Sequence, residues 1–452
     1  MQPQENQALD PSTAPDSTAG LNLPLWERLR LWFLAHPIGF WFFFWGELAE
    51  RCSYYGMRAI LTLYMLERLD FSEGQAGATT ALFIAGTYLT PLAGGWIADN
   101  VFGKYWTIVG FSLPYILGHV ILGIESVPFL VIALVLLSMG SGVIKPNIST
   151  LMGMTYDQQR PGKEKLRSDA FAMFYWSINI GAAISSIAVP AIRTAWGYST
   201  AFLFPAGLMV IAFAIFASGK RFYAVEKITR TQKTAAEKTE QWRAIGRIAG
   251  IFAVVTFFWS IFDQSASTWV LFAKNHLNLH LWGVTLQADQ IQAANPILII
   301  VMLPPVSLFW RFLAAHGLPL RATDKMLIGF ILTAVTMAIM AVAGFLTSPS
   351  DKASVLWEVG AYVIITVAEI CISVVGLELA FTAAPQKMKS FITACWLATV
   401  FLGNLLHAPF AYFYDFMPPG WYFAMMTLMM VFVSCGFVFV ARRFNRALPI
   451  AL

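Results

Sequence analysis

Long apolar runs alternate with short polar breaks along the whole chain. Runs long enough to span a bilayer lie near residues 38–66, 75–98, 104–123, 127–153, 168–191, 199–218, 246–273, 290–313, 325–347, 354–383, 389–414 and 420–441, a helix needing about 20 residues to cross the hydrocarbon core. Lipid offers the backbone no hydrogen bonds, so each run is expected to be helical. The pattern predicts an all-α polytopic membrane protein with twelve transmembrane helices. One connection differs from the rest: it is long and densely charged, and it divides the runs six and six. The expected organisation is a tail and interfacial segment over 1–36, a six-helix bundle over 37–218, a linker over 219–245, a second six-helix bundle over 246–441 and a tail over 442–452.

The polar breaks carry an orientation signal. Basic residues collect in the even-numbered loops, for example Arg160, Lys163, Lys165 and Arg167, then Lys220, Arg221 and Lys227. The odd loops hold only Arg68, Arg193, Lys274 and Lys352, with Asp70, Glu73, Glu125, Asp351 and Asp415 among them. Retention of basic loops inside places both termini in the cytoplasm, the second anchored by Arg442, Arg443 and Arg446. Residues 1–23 lack the basic-then-apolar order of a cleavable signal peptide and are expected to be a disordered tail. Trp26, Arg28, Arg30 and Trp32 suit an interfacial position before the first span.

Composition narrows the classes. A chain 58% hydrophobic and 12% charged is no soluble enzyme, and its net charge of +5 is a topology signal with no nucleic-acid partner implied. Cys52, Cys371, Cys395 and Cys435 all sit in apolar runs and read as free thiols. The six histidines lack metal-ligand spacing, and no metal or cofactor is expected.

The first run breaks its own apolar rule with Glu47, Glu50, Arg51 and Arg58. At 100° per residue these four, with Tyr54 and Tyr55, fall within an arc of about 140°. A central charge costs about 2.5–3.5 kcal/mol on insertion scales, so the polar stripe must face protein or water. Arg51 lies four residues after Glu47 and one after Glu50, so two carboxylates share one guanidinium and one of them is left poised for protonation. A structural ion pair locking this helix to a neighbour is the plainer alternative.

Glu47-Leu-Ala-Glu50-Arg51-Cys52-Ser53-Tyr54-Tyr55-Gly56 resembles the first-helix signature of the proton-coupled oligopeptide transporters, a branch of the major facilitator superfamily, with Cys52 where the family usually has Phe. Gly94-Gly95-Trp96-Ile97-Ala98-Asp99 through Lys104 resembles the superfamily loop whose Asp latches one half against its neighbours. Tyr88-Leu-Thr-Pro91 is similar to the family's second helix, although Ala81 stands where animal members carry His. In Gly140-Ser-Gly142-Val-Ile-Lys145-Pro-Asn147 the paired glycines read as a close-packing surface, and the resemblance carries Lys145 toward the Glu-Arg cluster. Phe174-Tyr175-Trp176-Ser-Ile-Asn179 matches a further signature, with Asn179 a ligand for peptide backbone. The second half supplies Trp259, Asp263, Asn295, Glu369, Trp396 and Asn404; Val374 stands where members often have Pro, so a softer helix break is expected there, and Glu378 reads equally as gate or solvated cap.

The resemblance implies a major facilitator fold, two six-helix halves around a central site, in a bacterial inner membrane. It implies uptake of di- and tripeptides coupled to inward proton movement, by a monomer. Arg51 and Lys145 would take the peptide carboxylate, and Glu369, helped by Asn295 and Asn179, the ammonium. Tyr54, Tyr55, Tyr88, Trp259 and Trp396 would line side-chain pockets; Glu47, Glu50, Arg51 and Asp263 would couple the proton; Arg58 and Asp263 would form an outer gate. The alternatives are the same fold carrying another small zwitterion or organic anion, or a sensor without flux. A membrane enzyme is not supported, because no nucleophile, base and orienting group recur together.

Overall fold

A computed structural model describes residues 24–226, 235–348, 350–383 and 389–447 of the protein. The expected tail through residue 23, the linker residues 227–234, Lys387 and the end of the second tail lie outside the described residues. Helices run in the order α1 (Leu25–Ala35), α2 (Ile38–Arg68), α3 (Glu73–Ile97), α4 (Lys104–Leu122), α5 (Val127–Gln159), α6 (Glu164–Ser218), α7 (Ala235–Phe262), α8 (Thr268–His276), α9 (Ala294–Ala315), α10 (Ala322–Phe345), α11 (Leu356–Glu369), α12 (Val375–Ala383), α13 (Lys389–Phe413) and α14 (Pro419–Ala447).

Among the described residues ten helices are long and apolar enough to cross a membrane. α6 supplies two spans, because Gly197 at φ 83° reverses the chain inside it. The short loop expected after residue 191 is replaced by this single residue, since glycine alone takes a positive φ without strain. α2 stays outside the ten because of its ionisable residues, and its inclusion completes twelve spans.

In the first half α2 packs on α6, α4 on α5 and α3 on α5. In the second, α10 packs on α11 and α14, and α13 on α7; α3 meets α13 across the halves. The paired glycines let α5 approach closely. Gly140 lies against the Tyr115 side chain, and a Cβ at Gly142 would sit 2.7 Å from the Thr87 carbonyl oxygen.

Two spans depart from plain α-helix. α7 gives way to a 3₁₀ turn at Asp263–Ala266 before α8 resumes, where the sequence suggested smooth helix, and a π turn over Ile370–Val374 joins α11 to α12, the softer break expected with Val374 in place of the family's Pro. Beyond the membrane, where water can satisfy the backbone, short strands add to the all-α plan. His280–Leu281 pairs antiparallel with Val284–Thr285 around Trp282 and Gly283, both at positive φ, and Leu277–Asn278 runs parallel to Ala353–Ser354.

At the opposite end, the described start of the linker is docked on the first half. Glu226 accepts the backbone N–H of Lys104 at 2.8 Å and of Tyr105 at 3.0 Å, capping α4. Asp99, expected to latch against neighbouring helices, instead pairs with Lys104 of its own loop at 2.8 Å. α3 ends there in a π turn over Ala98–Phe102, which keeps the two residues together. The four cysteines are free; Cys52 and Cys371 are buried, whereas Cys435 is exposed because its face of α14 is turned outward.

Candidate functional site

The helical period of α2 brings its ionisable residues onto one buried face. Glu47, Glu50 and Arg51 are each no more than 2% exposed, so their pairing takes place away from solvent. Arg51 Nε lies 3.2 Å from Glu47 Oε1 and also donates to Glu50 Oε2. Both Glu47 oxygens, Glu50 Oε1 and Arg51 Nη2 are buried without a hydrogen-bond partner among the described residues, so the guanidinium does not saturate two carboxylates. α6 approaches at Gly181, where a Cβ would stand 2.8 Å from the Leu48 carbonyl and 3.2 Å from Arg51 Cβ, and Cys52 donates its Sγ–H to the Gly181 oxygen at 3.3 Å.

Three cations on the first half each lie over an aromatic ring. Arg51 stands 5.5 Å from the Tyr54 centroid, Arg58 5.4 Å from Tyr55 and Lys145 5.0 Å from Tyr88. Such faces hold a cation loosely and leave it open to an anion. Lys145 comes close enough to act electrostatically on Glu47 and on Asp263 of the second half.

The second half holds its acids with amides placed at the helix breaks. Asp263, first residue of the 3₁₀ turn, accepts from Asn404 Nδ2 at 2.7 Å; the same amide nitrogen donates to the Val400 carbonyl at 3.0 Å, which fixes its orientation. Glu369, last residue of α11, accepts from Asn295 Nδ2 at 2.8 Å, and that nitrogen also reaches Thr366 Oγ1 at 3.2 Å. Asp263 acts electrostatically on Glu369, and Arg58 on both, so these groups surround one seam between the halves.

Other expected residues fall elsewhere. Trp396 is buried edge-on to Phe252, 5.7 Å between centroids, and lies against Gly376; Trp259 is packed between Phe258 and Phe262. Both serve as packing in this conformation, because α13 and α7 close over them. Asn179 donates to the Tyr175 carbonyl at 3.0 Å. Arg58 and Asp263 are electrostatic neighbours but form no ion pair, Asp263 being engaged by Asn404. Tyr175 was missed as a site residue, although it interacts with both Asn179 and Glu369; its place four residues before Asn179, on the same helix face, was the available signal.

The seam is closed at the end bearing the odd-numbered loops. Arg193 makes a two-point ion pair with Asp289, 2.9 and 3.2 Å, and Lys274 meets Glu67 at 2.7 Å. Asn275 donates to Glu73 at 2.6 Å, Gly74 N–H to Asp415 at 2.7 Å, Gln292 to the Ala59 carbonyl at 3.0 Å and Thr62 to the Ala266 carbonyl at 2.9 Å. Between described residues, every hydrogen bond or ion pair joining the halves lies at this end.

A family model described as the POT family matches residues 105–235 and 224–418. "Solute carrier family 15 member 2" of Mus musculus is 30% identical over 75% of this chain and 54% of its own length. "Solute carrier family 15 member 1" of Homo sapiens is 29% identical over 69% of this chain and 52% of its own. The chain thus spans about half the length of these curated relatives. The crystal structure of an auto-inhibited POT family peptide transporter superposes with a TM-score of 0.83 at 26% identity, covering 90% of this chain and 97% of that one. Twelve spans in two packed halves, with a buried Glu-Glu-Arg cluster on the first, agree with that match over most of the membrane portion: the chain belongs to the POT family.

Proposed function

We propose that the protein takes up di- and tripeptides, coupled to inward proton movement, by alternating access between its two halves. The observation that carries this reading is the opposite electrostatic character of the two sides of the seam. A peptide is a zwitterion, and Arg51 and Lys145 on the first half are suited to its carboxylate while Glu369, supported by Asn295 and with Asn179 and Tyr175 nearby, is suited to its ammonium. The superposing auto-inhibited protein is a peptide transporter, which supports the same substrate class. Tyr54, Tyr55 and Tyr88 offer side-chain surfaces that tolerate many residues. Trp259 and Trp396 join them only if the second half repacks.

Glu47, Glu50, Arg51 and Asp263 carry the coupling in this proposal, since an under-saturated carboxylate pair and an amide-held acid can both exchange protons. Arg58 and Asp263 belong to the outer gate in this proposal as electrostatic neighbours, the direct closing contact being Arg193–Asp289. A proton entering down about 100 mV and one pH unit releases about 3.7 kcal/mol, enough for about a 500-fold gradient of a neutral peptide. The basic loops favour cytoplasmic termini, with the closed end outside and residues 219–245 as a cytoplasmic linker; a bacterial inner membrane and a monomeric working unit complete the proposal.

Uptake of labelled di-alanine into proteoliposomes under an imposed inward proton gradient tests the proposal. Accumulation that collapses with a protonophore supports it; no saturable uptake with the gradient in place overturns it.

A further inference from the structure

We propose that Glu358 is an additional proton-binding site, the outer station of a polar stripe that runs down α11 to Glu369. Glu358, Tyr362, Thr366 and Glu369 are spaced i, i+4, i+8 and i+11, which puts them within an arc of about 80° over about 16 Å of helix. The lower part of the stripe is hydrogen-bonded through Asn295, which bridges Thr366 Oγ1 and Glu369 Oε2. Above it, Tyr362 donates its hydroxyl to the Ser265 carbonyl at 3.2 Å, two residues beyond Asp263.

Glu358 is unlike the other buried acids among the described residues. Glu47 and Glu50 have Arg51, Asp289 has Arg193 and Asp263 has Asn404, whereas Glu358 is 1% exposed and its Oε2 has no partner. A buried carboxylate with neither cation nor donor is among the costliest groups a protein can hold, while a neutral acid costs little more than an amide. Two further unpartnered buried atoms belong to the same region, Trp269 Nε1 of α8 and the Tyr414 hydroxyl just beyond α13. The Trp269 and Tyr362 rings stand 5.0 Å apart.

The facing groups are few. Tyr362 of its own helix and Tyr414 interact electrostatically with Glu358; Tyr422 of α14 meets Tyr414 at 5.0 Å, Glu73 of α3 acts on Tyr414 and Arg58 of α2 on Tyr362. Among the described residues no cation acts on Glu358 itself. In the proposed step a proton from outer water adds to the Glu358 carboxylate, giving the neutral acid as the outer end closes. The closed outer end holds Glu358 as this neutral acid; its proton passes on, one for one, to the Glu369 carboxylate only as that end reopens and water can solvate the Glu358 anion. The inference rests on the proton coupling proposed above.

The test compares the unchanged protein with Glu358→Gln, which keeps size and the capacity to sit in the first turn of α11. Gradient-driven accumulation of di-alanine, divided by its counterflow exchange, is expected to fall about tenfold, the worth of one pH unit of driving force. An infrared carboxylic-acid band of the purified protein is expected to vanish in the variant. A folded Glu358→Gln protein that keeps the parental ratio and the band overturns the proposal and leaves Glu358 a packing residue. If the unchanged protein exchanges no di-alanine, the transport reading fails separately and the infrared band alone decides for or against Glu358. Glu358→Asp, read by a shift of that band, replaces the Gln form should the latter fail to fold.

Discussion

In the first half, Glu47 and Glu50 are answered by Arg51 from their own helix, whereas in the second half Asp263 and Glu369 are answered by Asn404 and Asn295 from other helices. The charges named at the seam differ accordingly: Arg51, Arg58 and Lys145 against two acids on one side, two acids and no cation on the other. An ion pair inside one helix survives any rigid movement of that helix. An amide reaching across a helix break survives only while the break keeps its shape, and it leaves the acid formally negative. The first half is thereby built to hold charge constant, and the second to have its charge completed by a proton or a substrate amine.

The largest effect that can break this comparison comes from removing the shared cation. Arg51→Met strands two buried carboxylates and is expected to cost about 3–5 kcal/mol, against about 1–3 kcal/mol for Asn404→Leu, which removes a neutral donor. Thermal unfolding of the purified proteins measures both, and equal losses would erase the distinction between the halves.

Next in size is the substrate contact. Glu369→Gln should weaken di-alanine by about 10- to 150-fold, the range for a hydrogen bond to a charged group, and leave an N-acetylated analogue nearly unchanged. Competition uptake with both compounds is the measurement, and parallel losses would assign Glu369 to proton work instead.

The closed end offers a smaller test, because Arg193 and Asp289 join the halves directly. Arg193→Gln should shift the conformational balance about tenfold, or about 1.4 kcal/mol, toward opening at that end. An impermeant thiol reagent acting on a cysteine at Gln292, in a background without the native four, reports it; unchanged labelling would mean the remaining contacts suffice.

The smallest effect guards the interpretation of any pH profile. His36 is buried against Tyr156, its Nδ1 2.5 Å from the hydroxyl, and burial lowers its pKa from 6.5 to about 4, with Asp169 opposing and Arg160 assisting. The folded state therefore binds fewer protons than the unfolded one between those values. Its stability contribution is full above 6.5 and is lost as pH falls toward 4, about 1 kcal/mol of it between pH 7 and 5.5. Thermal midpoints at those two pH values, with His36→Gln flattening the difference, separate this loss from proton coupling at the acids. A slope unchanged in the variant would place the titration elsewhere.

Local order in the chain determined a good deal of this protein. Apolar run length set the twelve spans, and helical periodicity put Glu47 and Arg51 on one face, one turn apart, where they could hardly avoid each other. The missing side chains of Gly140 and Gly142 marked a close-packed face in advance. What lay beyond reach were partners set by how each helix is rotated against its neighbours. Asn404 meets Asp263 across 141 residues, Arg193 meets Asp289 across 96 and Asn295 meets Glu369 across 74. The break at Asp263, the burial of Trp259 and Trp396, and the isolation of Glu358 belong to the same class. Periodicity tells which residues share a face; only packing decides what that face meets, because rotating a helix by one residue changes every contact it makes while leaving its pattern intact.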